Sequence, residues 1–288
     1  MPSHLSVANH AIYSNVNHNR SMEPNLTELQ EQFDRDGFLV MRNALDANQV
    51  QHFTQIVDRL AHEERGNDET QTVEIRNAIA RDAALLPLLD WKSTFPLIAA
   101  ILGWNIQLTT SHVFVRPSTP KENQQFKAIG WHCDGPNPNF PVIENQLPRM
   151  YAKVGFFLTD LSEPDMGNLR VVPGSHLCAE KPKCDGNGEP IDAIQVLTKP
   201  GDAVFFEQRT WHAVGPNYAA HARKNIYIGY CHRWLKAIDF ITQEEELIAQ
   251  ANPIQRQLLG AVSDPISFYL PSRFPEDVPL KEIMDGTP

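Results

Sequence analysis

The sequence is poor in cysteine. Its 288 residues hold four, Cys133, Cys178, Cys184 and Cys231, and none stands in a Cys-x-x-Cys pair. A chain of this length buries enough apolar surface to fold without disulfide staples, so the four read as reduced thiols. No apolar run approaches the roughly 18 residues that a membrane span needs. The opening stretch, 1–24, is rich in Asn, His and Ser and has no apolar core of the signal-peptide kind. Lys and Arg form no cluster, and the net charge is -10, which argues against a nucleic-acid surface. These absences set the first expectations: a cytoplasmic protein with no nucleic-acid partner and no membrane partner.

What is present suits a globular protein. Apolar residues make up 42% of the chain, enough for a large core, and 21% are charged. No internal repeat or linker divides it. Residues 1–24 read as a flexible arm, with His4, His10 and His18 as scattered, solvated side chains, and 25–288 as one domain.

The first third carries helical signals. Asn25-x-x-Glu28 has capping-box spacing before Leu26, Leu29 and Phe33, and Gly37 stops the helix. Asp46 opens a second helix with Val50, Phe53, Ile56, Val57 and Leu60 on one stripe. A helical stretch is expected near 75–89, and another begins at Ser93 or Thr94, with Pro96 in its first turn and Gly103 at its end. After Trp104 the pattern changes to short β-rich runs separated by Pro-Gly turns, the pattern of a β-sandwich or jelly roll. Trp104 and Trp234 read as core residues. Two polar, irregular stretches, 117–130 and 135–149, flank one short segment and read as loops that shape entry to a site.

That segment is Trp131-His132-Cys133-Asp134-Gly135. On an extended strand residues i and i+2 share a face, so His132 and Asp134 can reach one metal ion together while Cys133 points away. The best second histidine is His212, in Trp211-His212-Ala213-Val214. Two histidines and a carboxylate on one side of an ion form the facial triad of non-haem Fe(II) oxygenases. His176 is a rival ligand but follows the Pro173-Gly174 turn and reads as structural. His221 reads as solvated and His232 as a core or outer-sphere residue. His112 and Arg116 share a strand parity and could face the same space. Lys153 interrupts an apolar strand, and two readings stay open for it: binding an anionic substrate, or snorkelling to solvent.

Four motifs in order carry a family resemblance. They are Phe33-x-x-x-Gly37-Phe38-Leu39-Val40; Trp131-His132-x-Asp134; Gly167-Asn168-Leu169-x-Val171-Val172-Pro173-Gly174-Ser175-His176; and Pro200-Gly201-Asp202-x-x-x-Phe206 leading to His212, with Arg223 eleven residues further on. From about Phe33 to Trp234 the chain resembles the phytanoyl-CoA dioxygenase family of Fe(II)- and 2-oxoglutarate-dependent oxygenases. Pro148-Arg149-Met150 and the apolar strand after it are locally similar to ectoine hydroxylases. The resemblance implies a mainly β fold with flanking helices, built on a double-stranded β-helix (jelly roll). It implies Fe(II) on His132, Asp134 and His212, and the distal carboxylate of 2-oxoglutarate on Arg223, whose planar guanidinium suits a carboxylate. It also implies that Trp131 and Phe156 line the co-substrate pocket. The remaining iron positions would chelate the 2-oxo acid and admit O2. Some members place a hydroxyl residue two positions after the distal histidine to hold the co-substrate; here that residue is Val214. Related halogenases have Gly or Ala where this chain has Asp134, which disfavours halogenation.

The expected activity is therefore oxidation, chiefly hydroxylation, of an unactivated C–H bond in a small metabolite. Desaturation or oxidative cyclisation would use the same machinery. Two further readings compete: a hydrolase or isomerase on a jelly-roll scaffold, and a binding protein that kept the fold. Arg223 argues against the first and the intact triad against the second.

Overall fold

A computed structural model describes residues 25–119, 130–134 and 148–286. The expected N-terminal arm and most of the two expected entry loops lie outside the described residues. Among the described residues nine strands form two antiparallel sheets. The large sheet contains β1 (Phe38–Met41), β2 (Val73–Arg76), β3 (Ile106–Arg116), β4 (Tyr151–Phe157), β7 (Ala203–Glu207) and β9 (Arg223–His232), in the order β1-β7-β4-β9-β3-β2. The small sheet contains β5 (Leu169–Val171), β6 (Ile194–Val196) and β8 (His212–Val214), in the order β6-β5-β8. The segment around His132 adds to its β8 edge, because His132 and His212 exchange backbone hydrogen bonds of 3.0 and 2.9 Å. This is the jelly-roll arrangement of two sheets face to face.

Side-chain alternation divides the core in two. Outward-facing residues of the large sheet, among them Val154, Phe156, Phe205, Ile226, Ile228 and Tyr230, join the helices in one large cluster. Inward-facing residues, among them Phe157, Val204, Phe206 and Tyr227, meet Leu169, Val171 and Val196 of the small sheet in a second cluster. The site lies on this inner side.

The helices follow their caps. α1 (Leu26–Asp36) starts where the Asn25 side chain accepts from the Thr27 N–H and ends at Gly37, whose φ of 76° suits glycine. A Cβ at Gly37 would also overlap the His176 ring and the Thr210 hydroxyl. α2 (Ala47–Arg65) has a full capping box from Asp46 and Gln49 and buries Phe53, Ile56, Val57 and Leu60. The stretch expected to be helical near 75–89 divides instead. Val73 and Ile75 alternate into the helix-side core from β2, which pairs with β3, α3 (Ala78–Arg81) is one turn, and Ala83–Asp90 is a 3-10 segment containing Pro87. Proline removes a helical donor there, and the edge of β3 offers Val73–Arg76 a ladder. α4 (Phe95–Leu102) follows as expected, with Gly103 at its C-terminus. Among the described residues no single helix is long and apolar enough to cross a membrane, and the apolar stretches 83–90 and 95–102 are largely buried in the core. After β9 the chain returns over the outer face in α5 (Glu245–Gln250), α6 (Pro253–Leu258) and α7 (Pro279–Asp285). Trp104 packs on the core, but Trp234 does not: it is 56% exposed and stacks on His232, since it lies beyond the strand end.

Candidate metal and co-substrate site

The triad is assembled by the edge of the small sheet. His132 and His212 face each other across their bridge, with ring centroids 4.4 Å apart. Asp134 is tied to the turn before β8, its N–H donating to Gln208 O at 2.8 Å. One ligand atom from each of His132, Asp134 and His212 can be chosen so that all lie within 4.8 Å of one another. The Nδ1 atoms of both histidines are engaged by backbone carbonyls, His132 with Gly130 O at 2.7 Å and His212 with Thr210 O at 2.8 Å. A carbonyl can only accept, so Nδ1 carries the proton and Nε2 of each ring is left as a lone-pair donor. His212 is buried, and burial pushes its imidazole down to about 4 against the opposing pull of Asp134, which keeps it neutral and able to ligate.

An inward side chain of β4, Lys153, holds Asp134: its Nζ lies 2.6 Å from Oδ2. Burial alone would raise the Asp134 carboxyl, but Lys153, then His212 and His132, outweigh it and hold it below the ordinary value. The Lys153 ammonium also sits 5.8–5.9 Å from the rings of Phe206 and Tyr151. It therefore turns into the site and does not snorkel.

Arg223 opens β9 on the same inner face and is fully buried. Its stem passes Gly167, and its guanidinium lies 5.9 Å from the Phe114 ring and 5.6 Å from Phe157. Nη2 donates to the Tyr227 hydroxyl at 2.7 Å, while Nε and Nη1 have no partner among the described residues. Arg116 is its direct cross-strand neighbour, bonded to Gly215 O at 3.1 Å, and burial and then Arg223 push its guanidinium pKa down. Neither arginine pairs with a carboxylate among the described residues. Two facing guanidiniums repel. Unsatisfied buried donors on Arg223 are a further cost that an anion between the sheets would remove. The donor set of two neutral imidazoles and one carboxylate fits iron, and this cationic end fits a dicarboxylate.

Alternation moves two expected pocket residues elsewhere. Phe156 points outward into the helix-side core; its neighbour Phe157 is the ring beside Arg223. Trp131 lies one residue from His132 and so takes the opposite face. Its indole N–H donates to Glu189 Oε2 at 3.1 Å and its ring lies over Arg170, on the outside of the small sheet. His112 and Arg116 do face inward, and the His112 Nε2 lies 3.2 Å from Glu74. His176 is buried with Nε2 on Asp34 O, and His221 bonds Asp160 O. Tyr227 was not singled out by the sequence. The signal was available in Arg223-x-Asn225-x-Tyr227-x-Gly229, one face of a strand that starts at the buried arginine.

Comparison with known proteins agrees with this geometry. The phytanoyl-CoA dioxygenase (PhyH) family profile matches residues 33–225. An ectoine dioxygenase of Stutzerimonas stutzeri is 28% identical over 246 residues, covering 73% of this chain and 78% of that protein. An ectoine dioxygenase of Nocardia farcinica is 25% identical over 232 residues, covering 68% and 74%. Among solved structures, HygX from Streptomyces hygroscopicus, with nickel and 2-oxoglutarate bound, superposes with a TM-score of 0.60 at 15% identity, over 73% of this chain and 88% of that one. The α-ketoglutarate-dependent epimerase SnoN from nogalamycin biosynthesis gives 0.56 at 23% identity, over 72% and 83%. These two likenesses show the fold. The family profile spans well over half of the chain, and the chain therefore belongs to the phytanoyl-CoA dioxygenase family of Fe(II)- and 2-oxoglutarate-dependent oxygenases.

Proposed function

We propose that this protein hydroxylates an unactivated C–H bond of a small metabolite, with Fe(II) held by His132, Asp134 and His212 and the distal carboxylate of 2-oxoglutarate held by Arg223. The observation that carries this reading is the pairing of the triad with a fully buried, acid-free arginine on one inner face. When bound, iron and 2-oxoglutarate supply the oxidising power, consuming O2 and releasing succinate and CO2. The chain's own residues do the positioning. The backbone carbonyls of Gly130 and Thr210 fix both imidazole tautomers, and Lys153 orients the carboxylate. Phe157, Phe206 and the small sheet keep water from the guanidinium. Hydroxylation of a small molecule is also the reading that the ectoine dioxygenase relatives favour. Four cysteines with no Cys-x-x-Cys spacing suit a reducing, cytoplasmic setting.

The test is a visible difference spectrum of the metal-free protein with Fe(II) and 2-oxoglutarate, without oxygen. Chelation of the 2-oxo acid to ferrous iron gives a broad charge-transfer band. Its absence from a folded, iron-loaded protein would remove the dioxygenase reading. A succinate-release screen of small metabolites, with product masses, then separates hydroxylation from desaturation and cyclisation.

A further inference from the structure

The triad and Arg223 leave one inward polar group of β9 unused. Tyr227 is buried except for a small edge, and its hydroxyl accepts the Arg223 Nη2 bond at 2.7 Å. A phenol has one proton to donate as well as lone pairs. Accepting from Arg223 leaves that proton without an acceptor among the described residues, beside the unpartnered Nε and Nη1 of the same guanidinium. The ring is held by edge contacts to Phe157 and Phe206, and Phe206 packs in turn on His212. Tyr227 therefore bridges the arginine end of the site and the metal end.

The sequence makes room for this ring. Gly155 is its cross-strand partner on β4, and a Cβ on Gly155 would overlap the Tyr227 ring. The position two residues after His212, on the same face of β8, holds Val214 and so offers no hydroxyl. We infer that Tyr227 is a co-substrate-binding residue: its hydroxyl, fixed by Arg223, donates to the distal carboxylate of the 2-oxo acid and fills the place that Val214 leaves without a donor. The inference rests on the proposed use of 2-oxoglutarate. Asn225, between Arg223 and Tyr227 on this face, also has a buried, unpartnered amide and is the natural comparator. Its amide has no hydrogen bond to Arg223 among the described residues.

The experiment titrates 2-oxoglutarate into the anaerobic Fe(II) protein and reads the charge-transfer band. Pyruvate is titrated in parallel; it keeps the chelating end but lacks the distal carboxylate. Tyr227→Phe removes one hydroxyl and keeps the ring. It is expected to need roughly tenfold more 2-oxoglutarate, the loss of one hydrogen bond to a charged group, with the pyruvate titration unchanged. Val214→Ser in the Tyr227→Phe background is expected to recover part of that loss. A Tyr227→Phe protein that binds 2-oxoglutarate as the wild type does would overturn the inference. So would equal weakening of both keto acids, or a loss confined to Asn225→Ala. If the wild type gave no band at all, the proposed function would fail instead, and the two failures are thereby distinct.

Discussion

The two sheets of the jelly roll divide the work unequally. In the large sheet β3 and β9 are 11 and 10 residues long and pair over nearly their whole length, so register alone fixes where Arg223, Tyr227 and Lys153 point. The strands of the small sheet are three residues each, too short for register to fix much. The ligand edge is held by particular hydrogen bonds instead. The Thr210 hydroxyl donates to Gly37 O, the Trp211 N–H donates to the Ser175 hydroxyl, and Val172 N–H donates to Trp211 O. The proposed anchor for the co-substrate is built into long paired strands, whereas the candidate metal ligands depend on a few turns.

The comparison breaks most sharply at the ligands. His212→Ala removes a metal donor, and Fe(II) affinity by isothermal titration should fall by more than about 100-fold, beyond the loss typical of an outer-sphere partner. Retained affinity would mean that the small sheet does not carry the metal. Arg223→Leu should leave metal affinity near wild type yet raise the 2-oxoglutarate requirement roughly 100-fold, in line with about 2–5 kcal/mol for one partner of a buried charge pair. Loss of metal binding in that variant would show that the division between sheets is false.

Smaller effects sharpen it. Thr210→Val removes a hydroxyl that holds the turn before His212, and Fe(II) affinity should drop about tenfold with little change in unfolding temperature. Gly155→Ala places a methyl against Tyr227 within the rigid sheet. It should cost roughly 1–3 kcal/mol of stability by denaturant unfolding and should weaken 2-oxoglutarate more than metal. Trp131→Phe keeps a ring over Arg170 and loses only the bond to Glu189. Metal and 2-oxoglutarate titrations should both stay at wild-type values; a weakened co-substrate titration would return Trp131 to the pocket.

Much of this was legible along the chain. Caps marked α1 and α2, because capping is a local exchange of hydrogen bonds among neighbours, and α4 was marked by Pro96 in its first turn and Gly103 at its end. His-x-Asp spacing put both side chains on one face for the same local reason. Most of the stretch 75–89 is helical as expected, in one α-turn and a 3-10 segment; its first two residues belong to β2, whose partner lies on β3, some forty residues on. Phe156 and Trp131 were assigned to the pocket by resemblance, although each lies one residue from an inward position and alternation sends it to the other face.

The sequence by itself determined the candidate ligand types, the jelly-roll pattern and the candidate anchoring arginine, since these rest on spacing within short segments. Only the tertiary structure decided that Lys153 turns onto Asp134, that Arg116 faces Arg223, and that Gly155 makes space for Tyr227. Each of those depends on which strands lie side by side and in what register, and that is set by burial across the whole core rather than by neighbours along the chain.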